Sequence, residues 1–371
     1  MGELKQCQKG GDNSIQNQIG TQIVQVGIDE KRVREICDEK IKLALKGVSA
    51  EAEEIARRRI DALVEKLVRR IGESPSCAEA FADPAVQRDV AEAQIAAAES
   101  ERDINLDLLA ELLYARIANK PRLVRKRSVR RAIEIVPELE EEELTALTAL
   151  LFCVKYHINS RCAMNCESYF AALDERFSAI LRSHALPRGG KWISNMNFLN
   201  CVEINHALSF KKFEDYCSEI ANGVLCVGIA KGTSSHENAI KVLNECGIGA
   251  SALVQNDLLP EYVRIPVARL DDLSMLSAQN LGFSQLYGRV LDDREKEGLK
   301  AVIGMYSKDP VLMKTAKEAF VKKMSEYESL RRFKDWLNAL PYYFALTPVG
   351  EAIAYVNARR CIPDLPVIEL E

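Results

Sequence analysis

Residues 49–72 read SAEAEEIARRRIDALVEKLVRRIG, and this stretch sets the fold class. Its apolar positions, Ala52, Ile55, Ala56, Ile60, Leu63, Val64, Leu67, Val68 and Ile71, recur at the three-and-four spacing of one helix face. Arg57, Arg58, Glu65, Arg69 and Arg70 fall on the other sides. Gly47 followed by Ser49 supplies a stop and an N-cap, and Gly72 with Pro75 ends the run. A strand cannot use this pattern, because alternation would bury the arginines. The segment is an amphipathic helix built to cover a core.

The same texture extends outward on both sides. Asp29-Glu30-Lys31 opens a charged, helix-favouring stretch that runs to about Gly47. Pro84 opens a helix over 85–100, and a further helix over 104–118 buries Leu106, Leu109, Leu112, Leu113 and Ile117. Helices follow over 141–158 and 163–184, and Pro187-Arg188-Gly189-Gly190 is a turn or linker. Beyond it, Val224–Ala230 and Tyr262–Val267 read as short strands. The segment 238–246 reads as a helix, with more helices over 271–281, 290–305 and 312–338. The chain closes with a strand-like run, Tyr342–Leu346, then Thr347-Pro348 and a helix to about Arg359. Thr347 is the N-cap, but Gly350 stands where a capping box would place Glu. This strand, cap and helix order resembles the wing and closing helix of a winged-helix module. The expected architecture is mainly α: a multi-helix bundle body with a few short strands and a winged-helix-like C-terminal end, behind a cross-β-prone tail. Its expected divisions are a tail over 1–28, a helical domain over 29–186 and a helical domain with short strands over 187–371.

Composition narrows the function classes. With 371 residues, 47% hydrophobic and 28% charged, the chain has the make-up of a globular protein with a sizeable core. A net charge of −4 gives no overall attraction to nucleic acid or to an anionic membrane. Eleven cysteines are scattered with no disulfide-framework spacing and no secretory leader, which fits a reducing, cytoplasmic setting. The most apolar stretch, Leu144–Val154, is interrupted by Thr145 and Thr148 and is too short to span a bilayer.

One segment breaks with the rest. Residues 13–28, NSIQNQIGTQIVQVGI, contain no charge in a chain more than a quarter charged. High β-propensity, amide side chains able to ladder and neutrality together mark a segment that stacks in cross-β fashion. Natural sequences normally suppress such runs with charge or proline. Two heptads align, Ser14–Gly20 and Thr21–Gly27, with Gln18-Ile19-Gly20 matching Gln25-Val26-Gly27. The expected assembly residues are Gln18, Ile19, Gly20, Gln22, Ile23, Val24, Gln25, Val26 and Gly27. The expected partner is a second copy of the chain or another protein with a similar motif.

Val24-Gln25-Val26-Gly27 resembles the core tetrad of the RIP homotypic interaction motif, which drives amyloid-like signalling assemblies. The body carries a second resemblance. It rests on Lys9–Ser14, the helix from Ser49 to Ile71, the run Asn105–Leu113 with Arg116, and the terminal Leu346–Ala354. Together these resemble the bacterial LPO/Vpar-type family. That resemblance implies an α-helical body behind a short assembly tail, supplies no catalytic residues, and by association suggests a role in antiphage defence.

Other constellations are weaker. Cys153, His157, Cys162 and Cys166 have helical spacing but lack the Cys-x2-Cys pairs of zinc knuckles, so no metal site is expected. Gly228–Ser234 follows a strand and precedes a helix, but Lys231 precedes Gly232, the reverse of a phosphate loop. His184, His206 and His236 have no nucleophile elbow beside them, and Asp271-Asp272 and Asp292-Asp293 suit helix starts. No catalytic residue and no cofactor is expected, and the chain reads as non-enzymatic. The basic residues Lys120, Arg122, Arg125, Lys126, Arg127, Arg130 and Arg131 support an alternative, a winged-helix-type DNA-binding regulator. Glu134 and Glu138–Glu143 sit nearby to pair with them, and no aromatics interleave, which argues against nucleic acid.

Overall fold

The computed structural model describes residues 30–44, 49–72, 75–118, 123–155, 166–182, 185–220, 225–265 and 291–365. It is mainly helical. The first half runs α1 (Glu30–Ala44), α2 (Ala50–Gly72), α3 (Pro84–Glu99), α4 (Asp103–Ala118), α5 (Leu123–Ile135), α6 (Glu141–Lys155) and α7 (Cys166–Leu181). The amphipathic stripe of 49–72 is buried in α2 as expected, from Ala56 through Ile71, although Ile55 stays 43% exposed at its edge. Asp83 caps α3, its carboxylate accepting from the Ala85 N–H at 2.9 Å.

Charge pairs fix how these helices meet. Lys66 and Arg70 of α2 reach Asp107 and Glu111 of α4, each at 2.5 Å. A buried pair joins α3 to α4: the Arg116 Nε donates to Asp89 Oδ2 at 2.8 Å, with both side chains only 6% exposed. Burial pushes the Asp89 carboxyl up, and the Arg116 guanidinium opposes that rise. Removing one member of such a pair costs about 3–5 kcal/mol, because the other charge stays buried.

The second half runs α8 (Lys191–Phe198), β1 (Val202–Asn205), α9 (Phe213–Ile220), β2 (Ile229–Ala230), α10 (Ser234–Glu245), β3 (Val254–Gln255) and β4 (Tyr262–Arg264). It continues through α11 (Asp293–Gly304), α12 (Pro310–Met324), α13 (Glu328–Asn338), β5 (Tyr343–Leu346) and α14 (Pro348–Cys361). The stretch expected as one helix over 312–338 is two. Ser325 Oγ turns back to the Val321 carbonyl at 2.8 Å, and the chain reverses before Tyr327. That break lets Phe320 meet Phe170 and Phe333 meet Phe177, at centroid distances of 4.7 and 4.6 Å. The strand expected over 224–230 shrinks to Ile229–Ala230, and α10 starts four residues early. There Thr233 caps it by accepting from the His236 N–H at 3.3 Å. The helix expected over 271–281 lies outside the described residues.

Two clusters hold the apolar side chains. The large one draws from Val33 to Leu365 and includes both halves of the chain, so packing crosses the boundary expected near 187. The small one is built from Ile229, Ala239, Leu243, Val263, Leu299, Val302 and their neighbours, where the antiparallel β2-β4-β3 sheet meets α10 and α11. Gly228, with φ at +84°, opens this lobe; a Cβ there would lie 2.2 Å from the Val263 carbonyl oxygen.

The closing strand does not form a local hairpin of the kind a wing has. β5 pairs antiparallel with β1, Val202 opposite Leu346 and Asn205 opposite Tyr343. The helix after it is buried at every position from Val349 to Ala358 except Glu351, packed on α4, α5 and α6. Its one buried polar side chain is partnered: Asn357 Nδ2 donates to Thr148 Oγ1 at 2.8 Å, and Asn357 Oδ1 accepts from Arg360 Nε at 2.9 Å. The incomplete capping box now has a physical reason. A Cβ on Gly350 would sit 2.0 Å from the Cys201 carbonyl oxygen, so no larger residue fits at the third helical position. Helix propensity favours Ala over Gly by about 1 kcal/mol, while forcing atoms into a packed contact costs about 1–3 kcal/mol. Because the contact is with backbone, the clash wins. G350A is expected to lower the urea midpoint by the equivalent of about 1–2 kcal/mol; a midpoint equal to or above the parent's would refute this packing.

Candidate functional site

The nine expected assembly residues, Gln18, Ile19, Gly20, Gln22, Ile23, Val24, Gln25, Val26 and Gly27, lie outside the described residues. What the structure gives is the helix that follows them. α1 buries Val33, Ile36, Cys37 and Ile41 against the bundle, and Gln94 Nε2 of α3 donates to the Cys37 carbonyl at 3.1 Å. Its outer face is charged, with Arg32 donating to Glu35 at 3.0 Å. The neutral run therefore joins the body through a firmly seated helix.

Two members of the basic run, Arg130 and Arg131, are ion-paired. Arg130 donates to Glu92 of α3 and lies 3.7 Å from Glu134, and Arg131 bonds Glu134 at 2.9 Å. Arg127 is exposed. Arg122 lies outside the described residues, as do the side chains of Arg125 and Lys126 on α5. The acidic residues that follow also have structural partners. Glu143 accepts from the Glu140 N–H at 3.0 Å and from Asn195 Nδ2 at 2.8 Å, while Glu141, Glu142 and Glu143 occupy the first turn of α6. Helix α14, the closing helix of the winged-helix-like end, presents no continuous face to solvent.

Among the described residues, the cysteine and histidine candidates do not converge. Cys153 and Cys166 are buried, His157 and Cys162 lie outside the described residues, and among the described residues no His, Cys, Asp and Glu group could hold a metal. Asp257 instead caps α7, its Oδ2 accepting from the Cys166 N–H at 2.8 Å. His184 lies outside the described residues. His206 stacks edge-on against Tyr342, and His236 Nδ1 accepts from the Gly232 N–H at 3.2 Å. That last bond closes the Gly228–Ser234 turn on itself, which explains the turn without a phosphate. Asp292 and Glu295 complete a capping box for α11, and Asp271-Asp272 lie outside the described residues.

Sequence reasoning missed one feature. A groove of about 590 Å³ between α9 and α12 is lined by Lys212, Lys314, Lys317 and Lys322 together with Glu214, Asp215 and Glu318. Lys317 pairs with Asp215 at 2.5 Å, so the lysines share the groove with nearly as many carboxylates. The three-and-four spacing of Lys314, Lys317 and Glu318 hinted at one face of α12. Its partners on α9 are a hundred residues earlier, beyond the reach of local pattern.

The arrangement defines a mainly α-helical protein with a single large core and a small α/β lobe, and no helix among the described residues is long and apolar enough to cross a membrane. A protein-family model matches residues 27–370, nearly the whole chain, and the chain belongs to that family. The match spans the body that resembles the LPO/Vpar-type family. No curated protein and no solved structure matches the chain.

The buried thiols give a direct check of this packing. Burial pushes the Cys153, Cys166 and Cys201 thiols up to about 12 and the Cys217 thiol well above its usual range. Thiolate, the reactive form, is therefore scarce at these four positions. Iodoacetamide at pH 8 should leave them unmodified in the folded protein, as read by peptide mapping, and modify them after denaturation. Labelling of all four in the native state at the rate of an exposed cysteine would contradict the core described here.

Proposed function

We propose that this is a non-enzymatic, cytoplasmic self-assembling protein, in which residues 14–28 drive homotypic oligomerisation and so cluster the helical body. The observation that carries the reading is the sixteen-residue uncharged run over 13–28 with its heptad repeat. The family match begins at residue 27 and the described fold at Glu30, so the run lies almost wholly ahead of both. Its tetrad, Val24-Gln25-Val26-Gly27, resembles that of the RIP homotypic interaction motif. The LPO/Vpar-type resemblance adds the biological setting, a signalling or effector role in bacterial antiphage immunity.

Energetics decide how such assembly proceeds. Burying Ile23, Val24 and Val26 contributes about 1.5–3 kcal/mol each, while ordering the segment costs roughly 1–2 kcal/mol per residue. Two tails alone cannot offset that cost. In a stack, each tail hydrogen-bonds a neighbour on both sides, and the amide ladders of Gln18, Gln22 and Gln25 add to the dry interface. Growth is then steep above a threshold concentration and negligible below it. The second copy supplies the partner, and a protein with a similar motif competes for the same stack.

Replacing Val24-Gln25-Val26-Gly27 by four alanines is expected to abolish sedimentable assemblies and thioflavin binding, while the far-ultraviolet spectrum and unfolding midpoint of the body stay unchanged. If assembly survives that replacement, the tail is not the driver. A salt-dependent shift of duplex DNA by the unassembled protein would instead favour the regulator alternative.

A further inference from the structure

One face of α13 and the chain between α7 and α8 enclose a depression of about 500 Å³ that none of the features above uses. Arg332, Trp336, Ala339 and Leu340 recur at three- and four-residue spacing and so share that face. Leu330, Phe333 and Leu337 form the buried stripe of the same helix. Residues 185–189 form the facing wall, and Trp336 fastens it to the helix: its Nε1 donates to the Pro187 carbonyl at 2.8 Å. The indole packs in turn near Trp192 and Phe333, at centroid distances of 5.8 and 5.6 Å. Both walls of the depression are therefore fixed by the core beneath them.

Its lining is that of a small-molecule site: mostly apolar, from Leu186, Pro187, Trp336 and Leu340, with few polar groups, and of ordinary volume for one. The polar groups decide the ligand. Arg188 and Arg332 are exposed and form no ion pair among the described residues, whereas Asp335 has Lys334 at 3.6 Å. Two guanidiniums against one carboxylate leave the lining one positive charge in excess, on a chain of net charge −4. That excess attracts a monoanion, while Asp335 repels a second negative charge. A planar guanidinium meets a carboxylate through two parallel hydrogen bonds. The floor takes an apolar body. A flat aromatic ring suits it best, because it packs against the indole without freezing rotatable bonds.

We propose that this depression is a binding site for a small aryl carboxylate, with its ring on Pro187, Trp336 and Leu340 and its carboxylate on Arg188 and Arg332. Asp335 sets the selectivity for a single negative charge. The site involves neither the N-terminal run nor α1, so it stands apart from the assembly reading.

The test uses the full chain labelled with nitrogen-15, whose two tryptophans give two indole N–H signals, and 2-naphthoate as the probe. 2-Naphthoate is expected to bind saturably, one per chain, and to move the Trp336 indole signal. The neutral 2-naphthamide keeps the rings and loses the charge, so it is expected to bind about tenfold more weakly. R188Q/R332Q is expected to weaken 2-naphthoate about tenfold as well, and to leave 2-naphthamide binding and the unfolding midpoint as in the parent. Absence of saturable binding in the parent would overturn the proposal, as would equal affinity for 2-naphthoate and 2-naphthamide. So would unchanged 2-naphthoate binding by R188Q/R332Q. Tighter binding of 2-naphthyl phosphate than of 2-naphthoate would overturn the carboxylate assignment, because the rim would then favour a dianion.

Discussion

Burial of the last helix is the constraint on which the rest of the structure depends. α14 presents nine buried positions between Val349 and Ala358, all but Glu351, to helices that stand two hundred residues earlier in the chain. A helix buried over so much of its circumference has to be enclosed, and α4, α5 and α6 of the first half enclose it. The entry to that helix is correspondingly tight. Thr347 Oγ1 accepts from the Gly350 N–H at 3.2 Å, the Thr347 N–H donates to the Cys201 carbonyl at 3.0 Å, and Gly350 leaves room for the same carbonyl. The β1–β5 pairing, the turn at Asn200 and the cap of α14 form one joint. It draws the two halves onto a shared core.

Around this joint the aromatic side chains concentrate despite their scarcity in the composition. Phe177, Phe213, Phe333, Trp336, Trp192 and Phe344 form a chain of ring contacts from α7 to β5, each between 4.6 and 5.8 Å. Thr148 and Asn357 form a matched buried pair, in which the Thr148 hydroxyl donates to the Leu144 carbonyl and accepts from the Asn357 amide. Matched pairs of this kind stabilise modestly but cost heavily when broken, so they fix one packing over its competitors. The small lobe of α10, α11 and the three-stranded sheet has its own apolar cluster. It is tied back by the Cys166 N–H bond to Asp257 and by Val227, Leu258 and Leu259, which pack into the large cluster.

Local pattern revealed the helices because their apolar spacing is a property of neighbouring residues. The stripe of α2, the buried face of α4 and the Thr347-Pro348 start of α14 are all written within a few turns. Long-range facts are not written that way. Nothing in Tyr343–Leu346 says that its partner is Val202–Asn205. Nothing in the turn at Pro187–Gly190 says that packing runs across it. The break between α12 and α13 escaped because Lys322 to Glu328 are good helix formers apart from Ser325 and Tyr327, with no Gly or Pro among them, and only the facing phenylalanines demand the reversal. In the candidate site, the acidic neighbours of the basic run were legible in Glu134, but Glu92, which receives Arg130, comes from another helix. The neutral run over 13–28 is the opposite case. Its character is a matter of composition alone, and it stands apart from the body's pattern.

A body closed on itself by α14, with a neutral segment ahead of it, suggests a division of labour in which the body keeps its fold while the segment changes state. Hydrogen exchange read by mass spectrometry tests this most directly, on the full chain before and after it forms sedimentable material. The account predicts that amides of 13–28 become strongly protected in the assembled material while those of α6 and α14 exchange as before. Solvent-rate exchange over 13–28 in both states, or new protection confined to the helices, would contradict it.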